Sequence, residues 1–97
     1  MRVEAVLWSV DTEDKLSSKH RITIDEVGEI LFDPAGGELT MRRGREGTYY
    51  VYGQTSGGRY LWICLVPSRT ESNAWSLVTA RDMTESERRQ YQEWVGK

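Results

Sequence analysis

Cysteine is nearly absent: Cys64 stands alone, so no internal disulfide and no thiolate zinc site can form. There is one histidine and there are only two prolines. No apolar run approaches the roughly 18 residues that a membrane helix needs. The N-terminus carries no long apolar stretch of the kind that marks a signal peptide. These shortages lead us to expect a cytoplasmic protein. An excess of positive charge is also missing. Thirteen Lys and Arg against fifteen Asp and Glu leave a net charge of −2, which excludes a uniformly basic nucleic-acid domain but not a local basic site. What the chain does have is 38% hydrophobic and 29% charged residues over 97 positions. That is a globular composition, long enough for one domain, residues 1–97, with one modest core.

Strong signals for secondary structure come from caps and turns. Arg2 to Trp8 favours a strand or extended arm. The polar stretch Asp11 to Lys19 fits a short helix capped by Asp11 or Thr12, with Leu16 its one clear apolar residue. Thr23 and Glu26 form a capping box, Ile22 and Val27 a hydrophobic staple, and Ile24, Val27, Ile30 and Leu31 share one helical face. Asp33-Pro34 ends that helix and Ala35-Gly36-Gly37 turns the chain. Glu38 to Met41 fits a short strand. Strands are predicted at Thr48 to Gln54, Tyr60 to Val66 and Ala74 to Arg81, the first two joined by a Gly57-Gly58 turn. A two-residue turn there sets Trp62 opposite Gly53. Leu61, Ile63 and Leu65 then form an aliphatic face, and Trp75, Leu77 and Thr79 share a face of the last strand. Thr84 and Glu87 form a second capping box, and Tyr91, Trp94 and Val95 give the last helix its core face before Gly96. The order β-α-α-β-β-β-β-α predicts an α+β fold, a compact antiparallel sheet with two N-terminal helices and one C-terminal helix packed on it.

Few residues offer chemistry. His20 is the single imidazole, the side chain whose charge changes nearest neutrality, yet it has no partner evident in sequence. Arg59 and Arg81 fall at strand ends, with Arg69 in the loop between their strands. Guanidinium groups converging there would grip phosphate through paired bonds, although surface salt bridging explains isolated arginines equally well. Arg42, Arg43 and Arg45 are the one dense basic cluster, suited to steering an anionic partner. Tyr49, Tyr50, Tyr52, Tyr60, Trp62 and Trp75 make the sheet aromatic, for core packing or for stacking on bases. Glu85, Glu87, Arg88 and Arg89 read as a solvated helix face with capping duties. No glycine-rich phosphate loop, metal-ligand cluster or Ser-His-Asp pattern is readable, and no cofactor is expected.

Taken in order, these residues resemble the BrnT toxin family. Trp8, Lys19-His20, the Thr23-to-Val27 helix start and Phe32-Asp33-Pro34 follow its first half. Gly53-Gln54-Thr55-Ser56-Gly57-Gly58-Arg59, Thr79-Ala80-Arg81 and Glu87-Arg88-Arg89 with Tyr91 follow its second half. The chain departs from the family's pattern at Leu16, at Arg21 (usually glycine) and at Ser76. The resemblance implies a RelE-like fold and the toxin of a type II toxin–antitoxin system, a metal-independent endoribonuclease that inhibits translation by cutting mRNA, free or on the ribosome. It implies a ribbon-helix-helix antitoxin as partner, bound in a hetero-oligomer. By position, His20, Lys19, Arg59 and Arg81 match the family's catalytic residues, and Arg69 and the Arg42–Arg45 loop would contact RNA. The alternative is a non-catalytic protein of the same fold that binds such an antitoxin and regulates its operon. A regulator that binds double-stranded DNA fits least, for want of a basic recognition helix.

Overall fold

A computed structural model describes residues 3–32 and 39–96. The expected Asp33-Pro34 stop, the Ala35-Gly36-Gly37 turn and Glu38 lie outside the described residues. The elements follow the predicted order: β1 (Ala5–Leu7), α1 (Val10–Lys15), α2 (Ile24–Phe32), β2 (Thr40–Arg43), β3 (Tyr49–Gln54), β4 (Tyr60–Pro67), β5 (Ala74–Asp82) and α3 (Glu85–Val95). A single π-helical stretch, Leu16–His20, prolongs α1. The α1 cap is Ser9, not Asp11 or Thr12, because the Thr12 N–H donates to Ser9 Oγ at 3.1 Å. Asp11 therefore falls in the first turn, where the helix dipole favours negative charge.

The class is α+β, and the strands lie in the order β1-β5-β4-β3-β2. The four strands β2 to β5 are antiparallel neighbours, but β1 joins the edge parallel to β5, so the sheet is mixed. The return from β1 to β5 spans most of the chain, which lets the strand re-enter in the same direction. β1 pairs only with Ala74 to Ser76, so among the described residues the far end of β5 has β4 on one edge and no strand on the other.

The β3–β4 hairpin is one residue longer at its turn than predicted. Thr55 N–H donates to the Arg59 carbonyl, and Ser56-Gly57-Gly58 form the loop, with Gly58 at φ +90°. Trp62 therefore pairs with Tyr52 rather than Gly53. A three-residue loop with glycine in a positive-φ position is the standard alternative to the two-residue turn. Leu61, Ile63 and Leu65 still share one face, all fully buried against Val27, Ile30 and Leu31 of α2. Gly53 lies under α2, where a Cβ would collide with the Ile30 side chain.

β5 carries a bulge. Cys64 pairs with Thr79 while Leu65 pairs with Leu77, leaving Val78 as the extra residue. A bulge re-aims the side chains that follow it. Trp75, Leu77 and Ala80 are buried on the aliphatic face. Thr79, predicted to join them, pairs with Cys64, and Arg81 pairs with Trp62, both on the opposite face. That second face is aromatic. Tyr52, Met83 and Tyr91 are buried there, with Tyr50, Tyr60 and Trp62 packed beside them, under α3. Of the predicted α3 core residues, Tyr91 is buried. Trp94 reaches Tyr52 edge-on at 5.4 Å and remains partly exposed, and Val95 is 49% exposed. Cys64 is buried, and burial pushes its thiol pKa up, as suits a small apolar packing group.

Candidate functional site

Both predicted capping boxes form, and each fixes a charged side chain near the β5 end of the sheet. Glu26 N–H donates to Thr23 Oγ1 at 3.1 Å, and Thr23 N–H donates back to Glu26 Oε1 at 3.0 Å. Glu87 N–H donates to Thr84 Oγ1, and Thr84 N–H donates to Glu87 Oε1 at 2.9 Å. Glu26 faces Arg59, and Glu87 faces Arg81.

The structure separates the four residues matched to the catalytic set. Arg59 is on the aliphatic side of the sheet, where all five of its N–H donors are engaged. Nε and Nη2 grip Asp82 at 2.8 and 3.2 Å, Nη1 reaches the Arg21 carbonyl at 2.6 Å and Glu26 at 3.5 Å, and Nη2 reaches the His20 carbonyl at 2.6 Å. Its geometry leaves no donor for a phosphate. Instead it pins the His20-Arg21 turn to the end of β5. Arg21 is held there at φ +53°, the left-handed position that closes a helix and favours glycine. The Arg59 guanidinium holds the Asp82 carboxyl below the usual carboxylate range, and the charge of His20 adds a smaller pull in the same direction. His20 thus sits beside Asp82, half-buried, and Lys19 next to it is exposed.

Arg81 lies on the aromatic side. Its guanidinium stacks on the Trp62 ring at 4.2 Å and makes two parallel bonds to Glu87, at 2.7 and 3.0 Å. A stacked, bidentate guanidinium is the orientation in which arginine recognises planar anions. Arg81 and Glu87 line an open groove of about 560 Å³ whose floor is Tyr50, Tyr52 and Trp62 and whose far wall is the Arg42–Arg45 loop. Tyr50 and Trp62 touch at 4.9 Å between ring centres. Gly44 lets this loop lie against the floor, since a Cβ there would come within 2.5 Å of the Tyr50 ring. Arg42 pairs with Tyr50 and so shares the groove's face of the sheet. Arg43 turns the other way and lies over Tyr49, with Nη2 donating to the Tyr49 hydroxyl. Arg45 is exposed at the loop tip.

Arg69 is not brought to this site. It follows β4, whereas Arg59 precedes it, so roughly 25 Å of strand separates them. It lines a different groove with Glu46, Tyr49 and Pro67. The residue that the sequence placed only in a cap and on a solvated face is Glu87. Its partnership with Arg81 could have been suspected from one signal, the six-residue step from a strand-end arginine to the third position of a capped helix. Among the described residues, no three His, Cys, Asp or Glu side chains lie together as metal ligands, and no helix is long and apolar enough to cross a membrane.

The sequence matches no family model and no curated protein. The fold does find a counterpart. The chain superposes on the crystal structure of the Brucella abortus ribonuclease toxin BrnT with a TM-score of 0.64 at 13% identity, over 84% of this chain and 100% of that one. The order of elements, the five-stranded mixed sheet and the three helices are those of the BrnT fold.

Proposed function

We propose that the protein is a toxin-type endoribonuclease that works in the Arg81 groove without a metal. The observation that carries this reading is Arg81 itself, held over the Trp62 ring within a groove that Arg42 and Arg45 make attractive to a polyanion. Cleavage of RNA needs a cation at the scissile phosphate, and a fixed guanidinium supplies one without reorganising during the reaction. In the floor Tyr50 is partly exposed, and an aromatic face of that kind accepts a stacked base of any sequence. Arg42 and Arg45 would contact backbone phosphates, which position a strand without reading it. The departing 5′-oxygen would take its proton from water, since His20 packs on the other side of the sheet and does not line the groove. Lys19, His20 and Arg59 would serve outside the groove, with Arg59 holding the His20 turn. The likeness to the BrnT family extends this reading to a ribbon-helix-helix antitoxin that masks the site in a hetero-oligomer.

The experiment is incubation of purified protein, freed of any antitoxin, with a long RNA in EDTA beside Arg81→Ala. We expect cleavage by the wild type and at least a ~100-fold loss in the variant, the scale of losing one preorganised donor. Equal cleavage by both would remove Arg81 from the site. The second reading, a binding protein without catalysis, draws support from the full engagement of Arg59 and the net charge of −2. Absence of cleavage by a folded wild type, with growth unaffected when the chain is expressed alone, would establish it instead.

A further inference from the structure

Arg81 and Glu87 leave a matched pair of openings. Arginine has five N–H donors. Arg81 Nη1 uses both of its hydrogens, on Glu87 Oε1 at 2.7 Å and on the Asp82 carbonyl at 3.1 Å. Nη2 uses one, on Glu87 Oε2 at 3.0 Å. Among the described residues nothing accepts from the second Nη2 hydrogen or from Nε. Two donors side by side on one guanidinium edge are the fork that grips phosphate oxygens. Glu87 is similarly unsymmetrical. Oε1 accepts from both Arg81 Nη1 and the Thr84 N–H, but Oε2 accepts from Arg81 Nη2 alone. A carboxylate oxygen has two lone pairs, so Oε2 keeps room for one more donor.

The two openings meet at Nη2. A phosphate oxygen on its second hydrogen and a hydroxyl on Oε2 would each lie about 3 Å from their partners. A single ligand that suits both carries a donor such as a hydroxyl beside a phosphate. A ribonucleotide has that arrangement in its 2′-hydroxyl and 3′-phosphodiester, and a deoxyribonucleotide lacks the hydroxyl. We propose that Glu87 is a catalytic residue, the general base that takes the 2′-hydroxyl proton while the open edge of Arg81 holds the scissile phosphodiester. The 2′-oxygen bonds to phosphorus, the bond from phosphorus to the 5′-oxygen breaks, and that oxygen takes a proton from water. The products are a 2′,3′-cyclic phosphate and a 5′-hydroxyl end. The Arg81 guanidinium holds the Glu87 carboxyl below the usual carboxylate range, which keeps it ionised at neutral pH. This inference rests on the ribonuclease reading of the same groove.

The test is Glu87→Gln, since glutamine also serves at this position of a capping box. Wild type and variant are compared on one RNA oligonucleotide and on its all-deoxy counterpart, across pH. We expect no cleavage of the deoxy strand. In the variant we expect kcat to fall by about 100- to 10,000-fold, the range for losing a general base. KM should hold, and the acid limb of the wild-type pH profile should vanish. A variant with wild-type kcat, an unchanged acid limb and a raised KM would overturn the inference, reduce Glu87 to a holder of Arg81 and leave the ribonuclease reading standing. A wild type that cuts neither strand would overturn both.

Discussion

Arg59 shows how one side chain can knit three distant parts of the chain. Its partners are Asp82 at the end of β5, Glu26 at the start of α2, and the carbonyls of His20 and Arg21. Removing it leaves two carbonyls and a carboxylate without their donor. Arg59→Ala should cost about 1–3 kcal/mol, the scale of orphaned partners of a charged group, measured by urea unfolding. Arg59→Lys should recover little, because an ammonium cannot span the same fork. An unchanged unfolding midpoint would show that the turn is held by other means. The arginine is plain in the sequence, but its partners lie 23 to 39 residues away, and no local pattern encodes them. Spacing placed it at a strand end, and an arginine at a strand end serves a phosphate or a carboxylate equally well. Arg21 is a clearer case. The BrnT pattern has glycine at this position, and the backbone here has the positive φ that glycine tolerates best.

Elements whose signals are local were legible, and those set by distant pairing were not. Both capping boxes formed as read, because their bonds span three residues. The register of the β3–β4 hairpin moved by one, since the sequence Ser56-Gly57-Gly58 suits a two- or a three-residue loop and only the sheet decides. The aliphatic face of β4 survived that shift, because alternation within a strand does not depend on its partner. The parallel β1 was invisible as such, for nothing in three residues states the direction of a neighbour. Gly53 illustrates a constraint that sequence conceals. Its missing side chain is what lets Ile30 of α2 rest on β3. Gly53→Ala should destabilise the protein by about 1–3 kcal/mol through overpacking, read as a lower melting temperature. No loss would mean that α2 shifts freely over the sheet.

At the scale of the molecule, the sheet is a partition. Aliphatic residues meet α2 and the α1 extension on one side, and aromatic residues meet α3 and the open groove on the other. The sequence announced both populations but not which polar residues would go with each, so the resemblance groups His20 with Arg81 although they pack on opposite faces of the sheet. Charge balance is also a property of the whole. Asp82 and Glu87 both have pKa values lowered by their arginines. A lowered folded-state value stabilises above the unfolded carboxylate pKa of about 4, and that contribution is lost as pH falls through the folded value. The melting temperature should therefore hold from neutrality to about pH 5 and drop below about pH 4. In Glu87→Gln the acid drop should be shallower. Parallel curves for the two proteins would show that the Glu87 pair contributes nothing to acid stability.

The extra residue at Val78 has a consequence for comparing this chain with its kin. Strand positions count as odd or even, and a bulge switches the count. A relative of equal length without the bulge would turn its aligned arginine to the aliphatic layer, whereas one lacking the extra residue altogether would keep it facing the groove. Identity at that column is thus no guarantee of equivalence. The bulge carries the information, because strand length and bulge together decide whether the β5 arginine can meet a ligand.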